Sequence, residues 1–145
     1  MKISTKGRYA LRMLLDLAEH RAAGFVALKD IAQRQNISKK YLEQIVTILN
    51  RSDILRTNRG HQGGYMLAQA PAKYTVGQIL RLTEGSLCPV VCLDDQPNRC
   101  GRSGICKTLP MWQGLSKVIS DYLDNITLQN MLDDYQAMGG LEYHI

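Results

Sequence analysis

The 145-residue sequence has no apolar run approaching the roughly 18 residues that a membrane-spanning helix requires. Its opening, MKISTKGRYALR, also lacks the apolar stretch and small-residue cleavage site of a secretory signal, so a cytoplasmic location and no membrane partner are expected. Proline is scarce, at four residues, and there is no low-complexity tract, which argues against long disordered segments. The three histidines are far apart, and no Ser/His/Asp or paired-carboxylate arrangement stands out. No enzymatic activity is expected. Cysteine is absent everywhere except one 19-residue stretch holding Cys88, Cys92, Cys100 and Cys106. Thiols in a reducing compartment are rarely structural disulfides, so metal or redox chemistry is the first reading of that stretch.

At 16.3 kDa and 45% hydrophobic residues, the chain can build one compact domain, or a small domain with a helical arm. The net charge of +5 is unevenly placed. Residues 1–70 carry 12 Lys/Arg against 5 Asp/Glu, whereas residues 71–145 carry 6 against 8. A basic front half suits a polyanionic partner.

Helical spacing over residues 7–21 places Ala10, Leu14, Leu17 and Ala18 on one face, with Asp16, Glu19 and His20 facing out and Gly24 as a stop. Residues 28–35 read as a short helix burying Leu28, Ile31 and Ala32. Ser38 then caps a second helix that buries Leu42, Ile45, Val46 and Leu49. Two short helices joined by a tight turn with an apolar residue, Ile37, form a helix-turn-helix pattern. Extended runs DILRTN and GYMLA flank RGHQGG, whose three glycines permit a hairpin tip. The order is that of a winged helix-turn-helix.

Further on, Thr75 and Gln78 are spaced as a capping box at the head of a helix over 76–84. Residues 85–107 show no apolar periodicity and hold all four cysteines. Pro110 suits the first turn of a long amphipathic helix, 110–126, on which Met111, Leu115, Val118, Ile119, Tyr122, Leu123 and Ile126 recur every three or four residues. Thr127 caps a last short helix, with Ile126 and Met131 spaced as a hydrophobic staple.

In a winged helix the second helix of the motif enters the major groove, its first residues reaching the base edges. Here these are Ser38, Lys39, Lys40, Tyr41, Glu43 and Gln44. Lys39 and Lys40 can neutralise phosphate or donate to guanine, and Gln44 can bond adenine through two groups. Phosphate repels Glu43 unless its carboxylate accepts from cytosine N4, which makes it a selectivity residue. Arg59 suits a narrow minor groove and His61 the backbone. The alternative is that these charges form an ordinary solvated face.

The cysteine spacing, Cys88-x3-Cys92-x7-Cys100-x5-Cys106, contains no C-x2-C knuckle and no nearby histidine. Structural zinc usually has such knuckles, whereas several thiolates on a loosely spaced loop suit an iron–sulfur cluster. Zinc, a disulfide switch helped by Arg99, Arg102 and Lys107, and incidental buried thiols are the alternatives.

The segments STKGRYALRMLLDLA, DIAQRQNISKKYLEQI, RGHQGGYMLA, TVGQIL, the trio Cys92, Cys100 and Cys106, and WQGLSKVISDYLDNITLQNM occur in the order and at the separations of the Rrf2 family of bacterial transcription regulators. The chain resembles that family, above all its iron–sulfur branch, from residue 1 to about residue 135. The resemblance implies a [2Fe–2S] cluster on Cys92, Cys100 and Cys106, discrimination between operator types by Glu43, and DNA-facing roles for Ser38, Tyr41, Gln44 and Arg59. Where that branch supplies a histidine ligand, three residues after the last cysteine, this chain has Leu109. Arg8 and Arg12 occupy the first-helix positions from which some members supply a ligand, and neither can serve as one. Cys88 is extra relative to the branch and is the leading fourth-ligand candidate, with Asp94, Asp95 or a partner-subunit group behind it. Another branch, which represses cysteine metabolism, shares the MKISTKGRY opening. Its tail resembles Glu142-Tyr143-His144-Ile145, which implies contact with a partner enzyme.

The expected fold is mainly α: a winged helix-turn-helix DNA-binding domain over residues 1–84, a cysteine-containing cluster-binding loop over 85–107, dimerisation helices over 108–135 and a mobile tail over 136–145. The expected function is a DNA-binding regulator, most simply a repressor, that senses iron, redox or cluster status and controls cluster-assembly genes. It would bind a roughly palindromic double-stranded operator as a homodimer, because paired half-sites need two reading helices and the long apolar stripe needs a cover. A zinc-stabilised or thiol-switched regulator of sulfur metabolism is the nearer alternative. An electron-transfer or cluster-carrier protein is the one from another class, and the basic front half speaks against it.

Overall fold

The computed structural model describes residues 1–139. Six helices and one hairpin follow in the order α1 (Thr5–Glu19), α2 (Leu28–Gln35), α3 (Lys39–Asn50), β1 (Leu55–Asn58), β2 (Gly64–Leu67), α4 (Val76–Glu84), α5 (Leu109–Asp124) and α6 (Leu128–Ala137). The fold is the expected winged helix-turn-helix with a long C-terminal helix.

Helix α1 is the central beam. Its buried residues Ala10, Met13, Leu14 and Leu17 meet Ile31 of α2, Leu42, Ile45 and Leu49 of α3, Ile79 of α4 and Leu128 of α6 in one cluster. Full burial of each large aliphatic side chain contributes about 2 kcal/mol, so this shared cluster fixes the helix-turn-helix against the rest of the chain. Between α2 and α3 the turn is made by Asn36, in the left-handed region at φ 51°, and by Ile37, buried to 5% exposure. The Ser38 hydroxyl accepts from the Tyr41 N–H at 3.2 Å and starts α3 where the cap predicts.

Strands β1 and β2 pair antiparallel, with Leu55 opposite Leu67 and Asn58 opposite Gly64. Val26, just before α2, bridges Tyr65 on the other side of β2 through two 2.8 Å backbone bonds. A Cβ at Gly64 would lie 2.4 Å from the Val26 carbonyl oxygen. Glycine there is what lets the wing dock against the strand leading into the helix-turn-helix.

Three local expectations change. Helix α1 ends at Glu19, and Gly24, at φ 81°, instead closes a short 3-10 turn over Arg21–Ala23. Asp16, expected on the outer face, is 1% exposed, because Arg34 and Gln35 of α2 fold over that face of α1 and hydrogen-bond its carboxylate. At α4 only half of the capping box forms: the Thr75 hydroxyl accepts from the Gln78 N–H at 3.1 Å, while no return bond from the Gln78 side chain is present. A full box forms at α6 instead, between Thr127 and Asn130. Ile126 and Met131 both pack on the small cluster of Val76, Leu80 and Leu87.

The N-terminus of α1 is capped across the fold. Glu84, the last residue of α4, accepts from the Ser4 hydroxyl at 2.7 Å, the Gly7 N–H at 3.0 Å and the Ser4 N–H at 3.2 Å. Burial pushes its carboxyl up, but these bonds and nearby Lys6 outweigh that and hold it below the ordinary glutamate value. Helix α6 packs back on α1 and reaches Ala137; the tail motif Glu142-Tyr143-His144-Ile145 lies outside the described residues.

Candidate nucleic-acid interface and cysteine segment

Lys39, Lys40, Glu43 and Gln44 lie exposed along the first two turns of α3, and Ser38 caps it. Lys39 Nζ is 3.8 Å from Glu43 Oε1, with both side chains more than half exposed. Such a pair is worth little and yields readily to a stronger partner. Tyr41 differs from its neighbours. It is half-buried, its ring meeting Tyr9 of α1 edge to face with centroids 5.5 Å apart, and the Arg12 guanidinium lies 5.2 Å from the Tyr9 centroid. Much of the Tyr41 ring is therefore occupied in holding α3 against α1.

Between α3 and the wing runs an open groove of about 600 Å³. Lys39 and Glu43 line it from α3, Arg59 and His61 from the hairpin tip, and Lys29 from the first turn of α2. At its floor the Thr57 hydroxyl donates to Asn50 Oδ1 at 3.2 Å. Three cations face one carboxylate, which gives the groove a positive field. Tertiary structure thus gathers Lys39, Glu43, Arg59 and His61, while Ser38, Lys40, Tyr41 and Gln44 lie outside the groove lining. Sequence reasoning missed Lys29, Asn50 and Thr57. The signal for Lys29 was its place in the basic front half at the start of the motif's first helix.

Residues 85–107 contain one short 3-10 turn, Val91–Leu93, and otherwise turns and bends. Cys88 sits against α5: its thiol donates to the Leu93 carbonyl at 3.4 Å, and the Ser116 hydroxyl donates to its sulfur at 3.6 Å. Cys92 and Cys106 are half-exposed and Cys100 is exposed, all as thiols. The Cys106 thiol is held below its ordinary value, chiefly by its contacts with the Thr108 hydroxyl and backbone, which favours the thiolate. Asn98 Oδ1 accepts from the Cys100 N–H at 2.8 Å, while Asn98 Nδ2 is buried without a partner. Soft thiol donors in one segment, with an orphaned N–H donor two residues before Cys100, are of the chemistry that an anionic thiolate-bound iron–sulfur cluster takes. Among the described residues, no three His, Cys, Asp or Glu side chains already stand together as a metal-ion site.

Helix α5 is held to α4 by a fork: Arg81 donates to both Asp124 oxygens, at 2.6 and 2.9 Å. This raises the guanidinium pKa and lowers that of the carboxyl. Gly77 makes room, since a Cβ there would fall 2.0 Å from Asp124 Oδ1. The opposite face of α5 is uncovered, with Met111, Leu115, Val118 and Tyr122 exposed by 53, 40, 65 and 66%. No residue of this helix is fully buried.

Residues 3–134 match the Rrf2 family, described as iron-dependent transcriptional regulators. The HTH-type transcriptional regulator IscR of Erwinia tasmaniensis is 36% identical over 138 residues, covering 95% of this chain and 82% of its own. Among solved structures, T. potens IscR superposes with a TM-score of 0.72 at 40% identity, covering 92% of this chain and 88% of that one. CymR, the global cysteine regulator of B. subtilis, superposes with a TM-score of 0.73 at 37% identity, covering 90% and 95%.

Proposed function

The chain belongs to the Rrf2 family of transcriptional regulators, and from that premise we propose that it binds double-stranded operator DNA as a homodimer and reads iron–sulfur or redox status through residues 85–107. The observation that carries the DNA half is the positive groove between α3 and the wing, where Lys39, Glu43, Arg59 and His61 converge. In this reading α3 lies in the major groove. Ser38, Lys40 and Gln44 reach bases or phosphates from its exposed side, and Arg59 enters the flanking minor groove.

The exposed apolar stripe on α5 supports the dimer. Met111, Leu115, Val118 and Tyr122 recur at steps of four, three and four, one continuous seam along the helix. A second copy covering it sets the spacing of two reading heads and calls for a roughly palindromic operator.

Cys92, Cys100 and Cys106 would hold a [2Fe–2S] cluster, with Cys88, Asp94, Asp95 or a partner-subunit group completing the set. Such a cluster supplies a redox-active anionic centre that is sensitive to iron supply and oxidants. Asn98 Nδ2 would donate to it. Ordering of the 85–107 segment, which joins α4 to α5, would bias the relation between reading head and dimer helix. Control of cluster-assembly genes follows as the expected output.

One observation favours a second reading. The likeness to CymR is as close as that to IscR, which supports a regulator of cysteine metabolism, with the cysteines of this chain then serving as a zinc site or a thiol switch. Absorption spectroscopy with iron, sulfide and zinc analysis on anaerobically purified protein separates the two. Bands between about 320 and 600 nm with near-equal iron and sulfide support the cluster. Colourless protein, with zinc or without metal, supports the second.

A further inference from the structure

A second cavity, of about 440 Å³ and open to solvent, lies away from the groove and from the cysteines, lined by residues of α1, α2 and α6. Its volume falls within the range of small-molecule sites. Leu15 of α1 and Met131, Leu132 and Tyr135 of α6 give it apolar walls, and Arg12, Asp16, Glu19 and Gln35 supply the polar ones. The charges are not equivalent. Asp16 is already satisfied by Arg34 and Gln35, so it offers little to a ligand.

Arg12 is placed differently. Its guanidinium donates through Nε to Gln35 Oε1 at 3.2 Å and through one terminal nitrogen to the Gln35 carbonyl, and its carbon lies over the Tyr9 ring, 5.2 Å from the centroid. Three partners fix its plane, yet among the described residues none of them is an acid, and its other N–H donors have no acceptor. A pre-oriented guanidinium with donors to spare, at the edge of an apolar cavity, is complementary to a carboxylate attached to an apolar body.

We propose that this cavity binds a small apolar carboxylate as an effector, the carboxylate on Arg12 and the apolar body among Leu15, Met131, Leu132 and Tyr135. Glu19, two helical turns beyond Arg12, adds a preference for a ligand that also carries an ammonium group, as an amino acid does. The site connects to the DNA-reading helix through contacts already described. Arg12 lies over the Tyr9 ring, Tyr9 packs on Tyr41 of α3, and Arg12 also grips the last residue of α2. A ligand that draws Arg12 toward the cavity therefore loads both helices of the helix-turn-helix. The inference stands apart from the cluster reading, since no cysteine lines the cavity.

The test is calorimetric titration of the full chain with L-leucine and L-phenylalanine, their deaminated acids 4-methylpentanoate and 3-phenylpropanoate, and their decarboxylated amines isopentylamine and 2-phenylethylamine. At least one carboxylate should bind saturably below about 10 mM while the amines do not, and preference for the amino acid over its deaminated partner reports the Glu19 contribution. Arg12→Gln should weaken binding at least about tenfold, the loss of a charge-assisted pair. Leu132→Trp, which fills the cavity but keeps Arg12, should do the same. Hydrogen exchange on the wild-type chain should show ligand-dependent protection in Leu28–Gln35 and Leu128–Ala137. No binding by any carboxylate, equal binding by the amines, or undiminished binding by both variants overturns the proposal.

Discussion

Arg34 closes a fork on Asp16, with Nε 3.0 Å and one terminal nitrogen 2.6 Å from the two carboxylate oxygens, and this pair joins the first helix of the helix-turn-helix to the central helix of the fold. The carboxylate is 1% exposed, and the guanidinium keeps about a third of its surface in water. Burial alone pushes the Asp16 carboxyl up. Hydrogen bonds from Arg34 and Gln35, with the charges of Arg34 and His20, more than reverse this and leave it below the ordinary value of 3.8.

Arg34→Ala leaves the buried Asp16 carboxylate with Gln35 as its remaining hydrogen-bond donor from α2 and should cost about 2 kcal/mol of stability at pH 7, less than a fully buried pair because Arg34 is partly solvated, read by urea unfolding. Because the folded-state pKa of Asp16 is depressed, its contribution is fully present above pH 3.8 and is lost as pH falls through the lower folded value. Arg34→Ala should therefore flatten the acid limb of the stability profile, and an unchanged limb would argue against the pair as its source.

Arg59→Ala should weaken DNA binding and reduce the slope of log affinity against log salt by about one, whereas Glu43→Ala should leave the slope near its original value and narrow the affinity differences among operator variants. Fluorescence anisotropy on a panel of duplexes reads both. Equal salt slopes for Arg59→Ala and the wild type would remove that side chain from the interface.

Cys92→Ala, Cys100→Ala and Cys106→Ala should each abolish the visible bands of anaerobic protein while leaving far-ultraviolet circular dichroism intact, because none of the three lies in the hydrophobic core. Cys88→Ala tests the fourth ligand. Retention of the bands there passes that role to Asp94, Asp95 or the partner subunit.

Val118→Glu places a charge in the middle of the exposed α5 seam, where a single chain tolerates it, since Val118 is 65% exposed. Sedimentation should show a monomer in place of a dimer, with thermal stability lowered mainly through the lost association. A dimer of unchanged affinity would place the interface elsewhere.

Much of the fold was legible because it depends on local chemistry. Ser38, Thr75 and Thr127 start helices where their hydroxyls can accept a backbone N–H, and Leu42, Ile45, Val46 and Leu49 mark the buried face of α3 by period alone. Asp16 was misplaced for a related reason. Periodicity reports which face of a helix is apolar, but whether a polar residue beside that face is covered depends on what a later segment lays over it. The Glu84 cap on α1 and the Arg81–Asp124 fork join residues 80 and 43 positions apart, beyond any window of local pattern.

The site divides along the same line. Residue types and spacing by themselves determined a helix-turn-helix whose second helix opens on lysines, a glycine-rich wing and a thiol-rich segment, since each is a contiguous run whose chemistry needs no partner to be recognised. Only the tertiary structure decided that Lys29 joins Lys39 and Arg59 around one groove, that Tyr41 is held against Tyr9, and that α1, α2 and α6 together line an open cavity that includes Arg12. Those relations depend on helix packing, in which side chains remote in sequence meet only after the shared core around α1 has fixed the angles between their helices.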